Sequence, residues 1–117
     1  MPATQEAPPA ANPNVKGGVT PYLTLDGALK AADFYQRAFG AELAAAHPPD
    51  AQGRTMHVHL YINGGSVMLS DAYPEHGHAF EAPRGFNLTL QVDDIDAWWK
   101  RAVEAGAVPV MPVAEMF

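Results

Sequence analysis

Residues 85–106, GFNLTLQVDDIDAWWKRAVEAG, decide how the chain is read. Phe86, Leu88, Leu90 and Val92 alternate with Asn87, Thr89 and Gln91, the period of two expected when one strand face meets a core. Asp93 and Asp94 end that pattern, and either side chain can cap the free amides of a following helix. Ile95, Trp98, Trp99, Ala102 and Val103 then fall on one helical stripe. Asp96, Lys100, Arg101 and Glu104 occupy the other side, and Gly106 stands where a helix C-terminal glycine belongs. Residues 19–40, VTPYLTLDGALKAADFYQRAFG, repeat the plan: an alternating strand, Asp26 and Gly27, and a helix closed by Gly40. Two copies at so long a spacing imply a domain of two related modules rather than a stacked array.

The intervening chain is organised around a hairpin. Glu42 to His47 reads as a short strand and PPDAQGR, residues 48–54, as a turn-rich loop. From Thr55 to Ile62, Met56, Val58, Leu60 and Ile62 alternate with His57, His59 and Tyr61. Asn63-Gly64 supplies the pair a type I′ turn requires, so Ser66 to Ser70 returns antiparallel. DAYPEHGHAFEAPR, residues 71–84, has no period and reads as a linker or lid. After the second helix, Val108, Val110 and Val113 suggest a final strand, confined to an edge by Pro109 and Pro112. The expected class is α+β: two βαβββ modules forming a curved mixed sheet, helices on its convex side, the second module lacking its last two strands. Residues 1–18 form a disordered tail, with 19–117 the domain. The chain is either a fragment or a domain whose last hairpin lies outside these residues.

Composition removes several function classes. One domain is the natural content of 117 residues, and a net charge of −6 with seven scattered Lys and Arg argues against nucleic acid or anionic membrane as partner. There is no cysteine, so a metal would need His, Asp, Glu, Asn or water. No signal-peptide pattern or membrane-length apolar run occurs, which points to a soluble cytoplasmic protein. Phosphate loops, nucleophile elbows and HExxH zinc motifs are absent from the sequence.

The doubled plan, with FYQRAFGAEL closing the first helix and VDDIDAWWKRAVEAGA around the second, resembles the vicinal oxygen chelate superfamily of glyoxalases, bleomycin-resistance proteins and extradiol dioxygenases. Within it, VTPYLTLDGALKAADFYQRAFGAEL, the His57 strand, SVMLSDAYP and AEMF resemble the PhnB-like branch. The resemblance implies a sheet cup holding a ligand. It also implies metal positions at Thr20, near Leu69 and at Asn87, with a fourth on a strand these residues do not include. Thr and Asn are poor ligands for borderline divalent metals and Leu is none, so no cofactor is expected.

The candidate ligand-binding residues are Thr20, Tyr22, His57, His59, Tyr61, Asn87 and Thr89, the polar sides of three strands. Catalytic residues are not identifiable. His57 and His59 share a strand face and could meet one ion or act as an acid-base pair, although two imidazoles alone make a weak site. Their plainer reading is as half-exposed strand residues. Glu75, His76 and His78 read as a solvated loop or a lid, and Asp71 as a turn former or a substrate-orienting carboxylate. Of Trp98 and Trp99, one belongs in the core and the other at a helix edge or subunit contact. The expectation is thus a PhnB-like protein that binds a small molecule without the superfamily's metal site, as a homodimer. The alternatives are a metal-dependent lyase, isomerase or dioxygenase, and a protein-interaction module.

Overall fold

The computed structural model describes residues 13–114. The elements are β1 (Tyr22–Leu25), α1 (Ala28–Phe39), β2 (Glu42–Ala46), β3 (Val58–Ile62), β4 (Gly65–Asp71), a 3-10 turn at Pro74–His76, and α2 (Ile95–Ala105). They form an open, mixed four-stranded sheet in the order β1-β4-β3-β2. β1 runs parallel to β4, whereas β4 with β3 and β3 with β2 are antiparallel.

The β3–β4 hairpin closes through the expected turn. Ile62 pairs with Gly65, leaving Asn63 at φ 50 and Gly64 at φ 87 as a two-residue loop, the left-handed pair of a type I′ turn. Register then divides the sheet into two faces. Val58, Leu60, Val67 and Leu69 point toward α1, where Ala28 and Ala32 complete the buried cluster and Leu23, Leu25, Leu29 and Tyr35 flank it. Alanines on the helix let its backbone approach the β-branched and leucine side chains closely. Leu60 and Leu69 are fully buried, each worth about 2 kcal/mol of hydrophobic stabilisation.

Asp71 holds this packing in place. Its carboxylate accepts from the N–H of Gly27 at 2.6 Å, of Ala28 at 3.0 Å and of Thr55 at 2.8 Å, and its own N–H donates to the Thr55 carbonyl. Gly27, at φ 103, has no side chain with which to cap α1, so Asp71 does so from 43 residues away. The substrate-orienting role considered for Asp71 is therefore not the one its geometry serves. Only 4% of the residue is exposed.

Two expected strands are not in the sheet. Residues 86–92 form no ladder, although Asp94 caps α2 as anticipated by accepting from the Ala97 N–H at 3.1 Å. An alternating pattern specifies two faces but not a neighbour, and the described residues offer this segment no hydrogen-bonded partner strand. Residues 108–113 are likewise irregular, with Val108 and Val110 85% and 95% exposed. Two prolines there remove ladder donors. The AEMF segment lies partly outside the described residues, as does most of the expected tail.

The helices dock C-terminus against C-terminus. Arg101 on α2 donates from Nε to the Ala38 carbonyl near the end of α1, and Arg37 on α1 donates to the Ala105 carbonyl at the end of α2. Each arginine satisfies an orphan carbonyl of the other helix and places positive charge at its negative pole. Trp98 and Trp99 are both half-buried, and no residue of α2 is fully buried. The core position expected for one of them is thus not filled.

Replacing Asp71 by Ala leaves three backbone donors without their acceptor, and a loss of about 3 kcal/mol is expected in urea unfolding. Asp71→Asn should recover only part, because its amide nitrogen would face a backbone N–H. A change below about 0.5 kcal/mol in Asp71→Ala would contradict this role.

Candidate ligand-binding face

On the sheet face turned away from α1, register aligns Tyr22 with Met68, Thr24 with Ser70, His59 with Met68 and Tyr61 with Ser66. His57 continues this face just before β3. The Tyr22 hydroxyl lies 3.0 Å from His57 Nδ1 and 3.5 Å from the Met56 carbonyl. The rings of Tyr22 and His57 are 5.8 Å apart, and those of His47 and His57 are 5.5 Å apart. His47 was not among the sequence candidates. Its signal was available in the antiparallel pairing of the strands on either side of the 48–54 loop, which brings the His47 N–H to the His57 carbonyl at 2.9 Å.

Burial holds the His57 imidazole below its ordinary pKa, with the neighbouring His47 and His59 adding repulsion. The Tyr22 phenol is pushed up by its own burial. At neutral pH both groups are uncharged. The phenol and Nδ1 share one hydrogen bond, which leaves the Nε2 edge of the imidazole for a ligand.

His59 and Tyr61 form the second half of the face. His59 is 2% exposed, with Nε2 2.7 Å from the Ser66 hydroxyl and its ring 4.9 Å from that of Tyr61. This replaces the half-exposed position expected of it. The cause lies above the strand: the Tyr61 hydroxyl donates to the Asn14 carbonyl, the Lys16 N–H donates to the Ser66 hydroxyl while its carbonyl accepts from the Ser66 N–H, and the Lys16 ammonium sits 4.0 Å over the Tyr61 ring. Residues 14–16 thus lie along this end of the sheet.

The remaining candidates are placed differently. Thr20 precedes β1 and is half-buried. Asn87 and Thr89 share a 3.4 Å hydrogen bond, and Thr89 lines an apolar cavity of about 360 Å³ with Leu23, Tyr35, Phe39, Leu88 and Leu90. That space opens where residues 88–90 lie beside the sheet without joining it. Its walls are continuous with the hydrophobic core, so we read it as a packing gap rather than a ligand site. The structure brings Tyr22, His57, His59 and Tyr61 onto one face and leaves Thr89 elsewhere.

The positions implied for a metal do not fit one. Leu69 is buried under α1, and the Asn87 side-chain oxygen accepts from Thr89. Glu75 is taken by Arg54, which grips it through two nitrogens at 3.1 and 2.7 Å and holds its carboxyl down at about 2. His76 and His78 beside it are exposed in a tight turn braced by backbone bonds to Tyr73. Among the described residues no group of three or more His, Asp or Glu side chains could hold a metal ion.

With this geometry in place, comparison with known proteins is decisive for the family. The model of the Glyoxalase/Bleomycin resistance protein/Dioxygenase superfamily matches residues 23–117. The chain belongs to that superfamily. It is 40% identical over 104 residues to the uncharacterized protein Mb0911c of Mycobacterium bovis, covering 83% of this chain and 67% of that protein. The identity to the uncharacterized protein Rv0887c of Mycobacterium tuberculosis is also 40%, with 83% and 60% covered. The chain therefore spans between 60% and 67% of the length of these curated relatives. Among solved structures, TioX from Micromonospora sp. ML1 superposes with a TM-score of 0.60 at 26% identity, over 86% of this chain and 79% of that one. Protein PA1353 from Pseudomonas aeruginosa gives 0.60 at 27% identity, over 74% and 69%. No helix among the described residues is long and apolar enough to cross a membrane.

In an NMR titration, the His57 ring should show a midpoint below the ordinary histidine value of about 6.5. His47→Ala should raise it by removing a like charge. Because the folded value is depressed, His57 contributes stability that is present above about pH 6.5 and lost as pH falls through its folded midpoint. A His57 midpoint at or above about 6.5, or one unmoved in His47→Ala, would contradict the burial and charge argument.

Proposed function

We propose that the chain is a small-molecule-binding module of the PhnB-like type, taking its ligand on the cup face of the sheet and working without the superfamily's metal site. The Tyr22–His57 pair carries this reading. In this reading the Tyr22 hydroxyl donates to Nδ1, so that a neutral Nε2–H stands beside the flat surfaces of Tyr22, His47 and His57, a combination suited to a small molecule with a planar ring and a carbonyl or ether acceptor. Tyr61 extends the face, and His59 acts from behind by holding Ser66. Thr20 borders the cup, whereas Asn87 and Thr89 would join it only when residues 86–92 pair as a strand.

The two-module architecture is part of this proposal. So is a cytoplasmic homodimer, which would cover the open edges that β1 and β2 present among the described residues. An enzyme reading would draw on His47 and His57, but two imidazoles without a third protein ligand fall short of a catalytic metal site.

Saturation-transfer NMR with small heteroaromatic amides should detect binding to the metal-free protein. His57→Ala should weaken the best amide about tenfold, the effect of one lost hydrogen bond. Binding or turnover that vanishes with chelator and returns with zinc, nickel or manganese would overturn the proposal in favour of a metal enzyme.

A further inference from the structure

A second cavity, of about 330 Å³, lies at the corner where the β3–β4 turn, the end of α1 and the middle of α2 meet. Lys16, Tyr61, Asn63 and Gly64 line one side, Gly40, Trp98 and Arg101 the other, with Glu42 at β2. Two of the seven basic residues in this acidic chain therefore share one small space. Both are held in place by rings: Lys16 Nζ stands 4.0 Å from the Tyr61 centroid, and the Arg101 guanidinium carbon 4.5 Å from that of Trp98. Neither forms an ion pair among the described residues, where Arg37 and Arg54 take the salt bridges.

Their donors are also largely unspent. Arg101 uses Nε on the Ala38 carbonyl, and no hydrogen bond within the described residues occupies its two terminal nitrogens or the Lys16 ammonium. The guanidinium lies so close over Gly40, at φ +64, that a Cβ there would come within 3.1 Å of Nη1. Glycine thus serves twice, as the left-handed cap of α1 and as the floor that lets the arginine settle. Against anion binding stand Glu42 and the negative C-terminal pole of α1. Arg101 already offsets that pole through Ala38, and Glu42 is exposed, so solvent screens its charge.

We propose that this corner, which adjoins the cup face at Tyr61, is a binding site for a small multivalent anion bearing phosphate or carboxylate groups. A guanidinium fork opposite an ammonium can engage two anionic oxygens at once, and ring contacts pre-order both cations before the ligand arrives. Trp98 and Trp99 are the only tryptophans in the chain, and Trp98 touches the site, so intrinsic fluorescence reports on it directly.

The test is a fluorescence titration of the protein with inorganic pyrophosphate and, in parallel, with citrate, at low and at physiological ionic strength. A saturable change in tryptophan emission is expected with at least one, weakening as salt rises. The stronger of the two identifies the anionic group preferred. Lys16→Met keeps the apolar stem over Tyr61 and the backbone bonds to Ser66, and it should reduce affinity about tenfold. Arg101→Gln should reduce it comparably, and circular dichroism of that variant shows whether α2 stays folded. An emission change that does not saturate with either anion, or an affinity unchanged in Lys16→Met, overturns the proposal.

Discussion

A single buried carboxylate organises the described part of this molecule. Asp71 sits at the end of β4, caps the first turn of α1 and fixes Thr55, where the chain enters β3. Burying a charge is tolerable only when its lone pairs are answered, and three backbone donors at 2.6 to 3.0 Å answer these. The consequence reaches across the sheet. With α1 pinned over Val58, Leu60, Val67 and Leu69, one face is committed to the core, and alternation along β1 and β3 turns Tyr22, His57, His59 and Tyr61 to the other. The composition of the opposite face, where we propose the ligand binds, is therefore set by what the helix face consumes.

Local chemistry was the legible part of the sequence. Asn63-Gly64 forces its turn, Asp94 caps its helix, and Gly40 and Gly106 end theirs in the left-handed region. Each depends on residues within a few positions of one another. What could not be read required distant partners. A carboxylate that caps a helix 43 residues upstream has no spacing rule, so Asp71 looked like an ordinary strand end. Residues 86–92 alternate as a strand should, yet a strand exists only with a neighbour, and alternation does not name one. His59 was legible as facing the polar side but not as buried, because the chain over it comes from residues 14–16. His47 was missed although the pairing of the strands flanking the 48–54 loop brings it beside His57.

Superfamily membership fixes a scaffold that hosts several chemistries, so the activity has to be argued from side chains. Here the side chains are an imidazole hydrogen-bonded to a phenol, aromatic surfaces beside it, and acidic residues engaged in structural work, which is the basis for proposing recognition. Asp71 is spent on backbone amides, Glu75 and Asp50 on Arg54. The reciprocal contacts of Arg37 and Arg101 tie the end of the second helix to the end of the first, with Ile95 53% exposed and Trp98, Trp99, Ala102 and Ala105 half-buried.

The most direct test of this account is chemical-shift mapping of a bound heteroaromatic amide on the metal-free protein. The account predicts perturbations centred on Tyr22, His47, His57 and Tyr61, with the amides of Gly27 and Ala28 unmoved because Asp71 holds them on the α1 side of the sheet. Perturbations confined to Leu23, Tyr35, Leu88 and Leu90 would place the ligand in the apolar gap and contradict it.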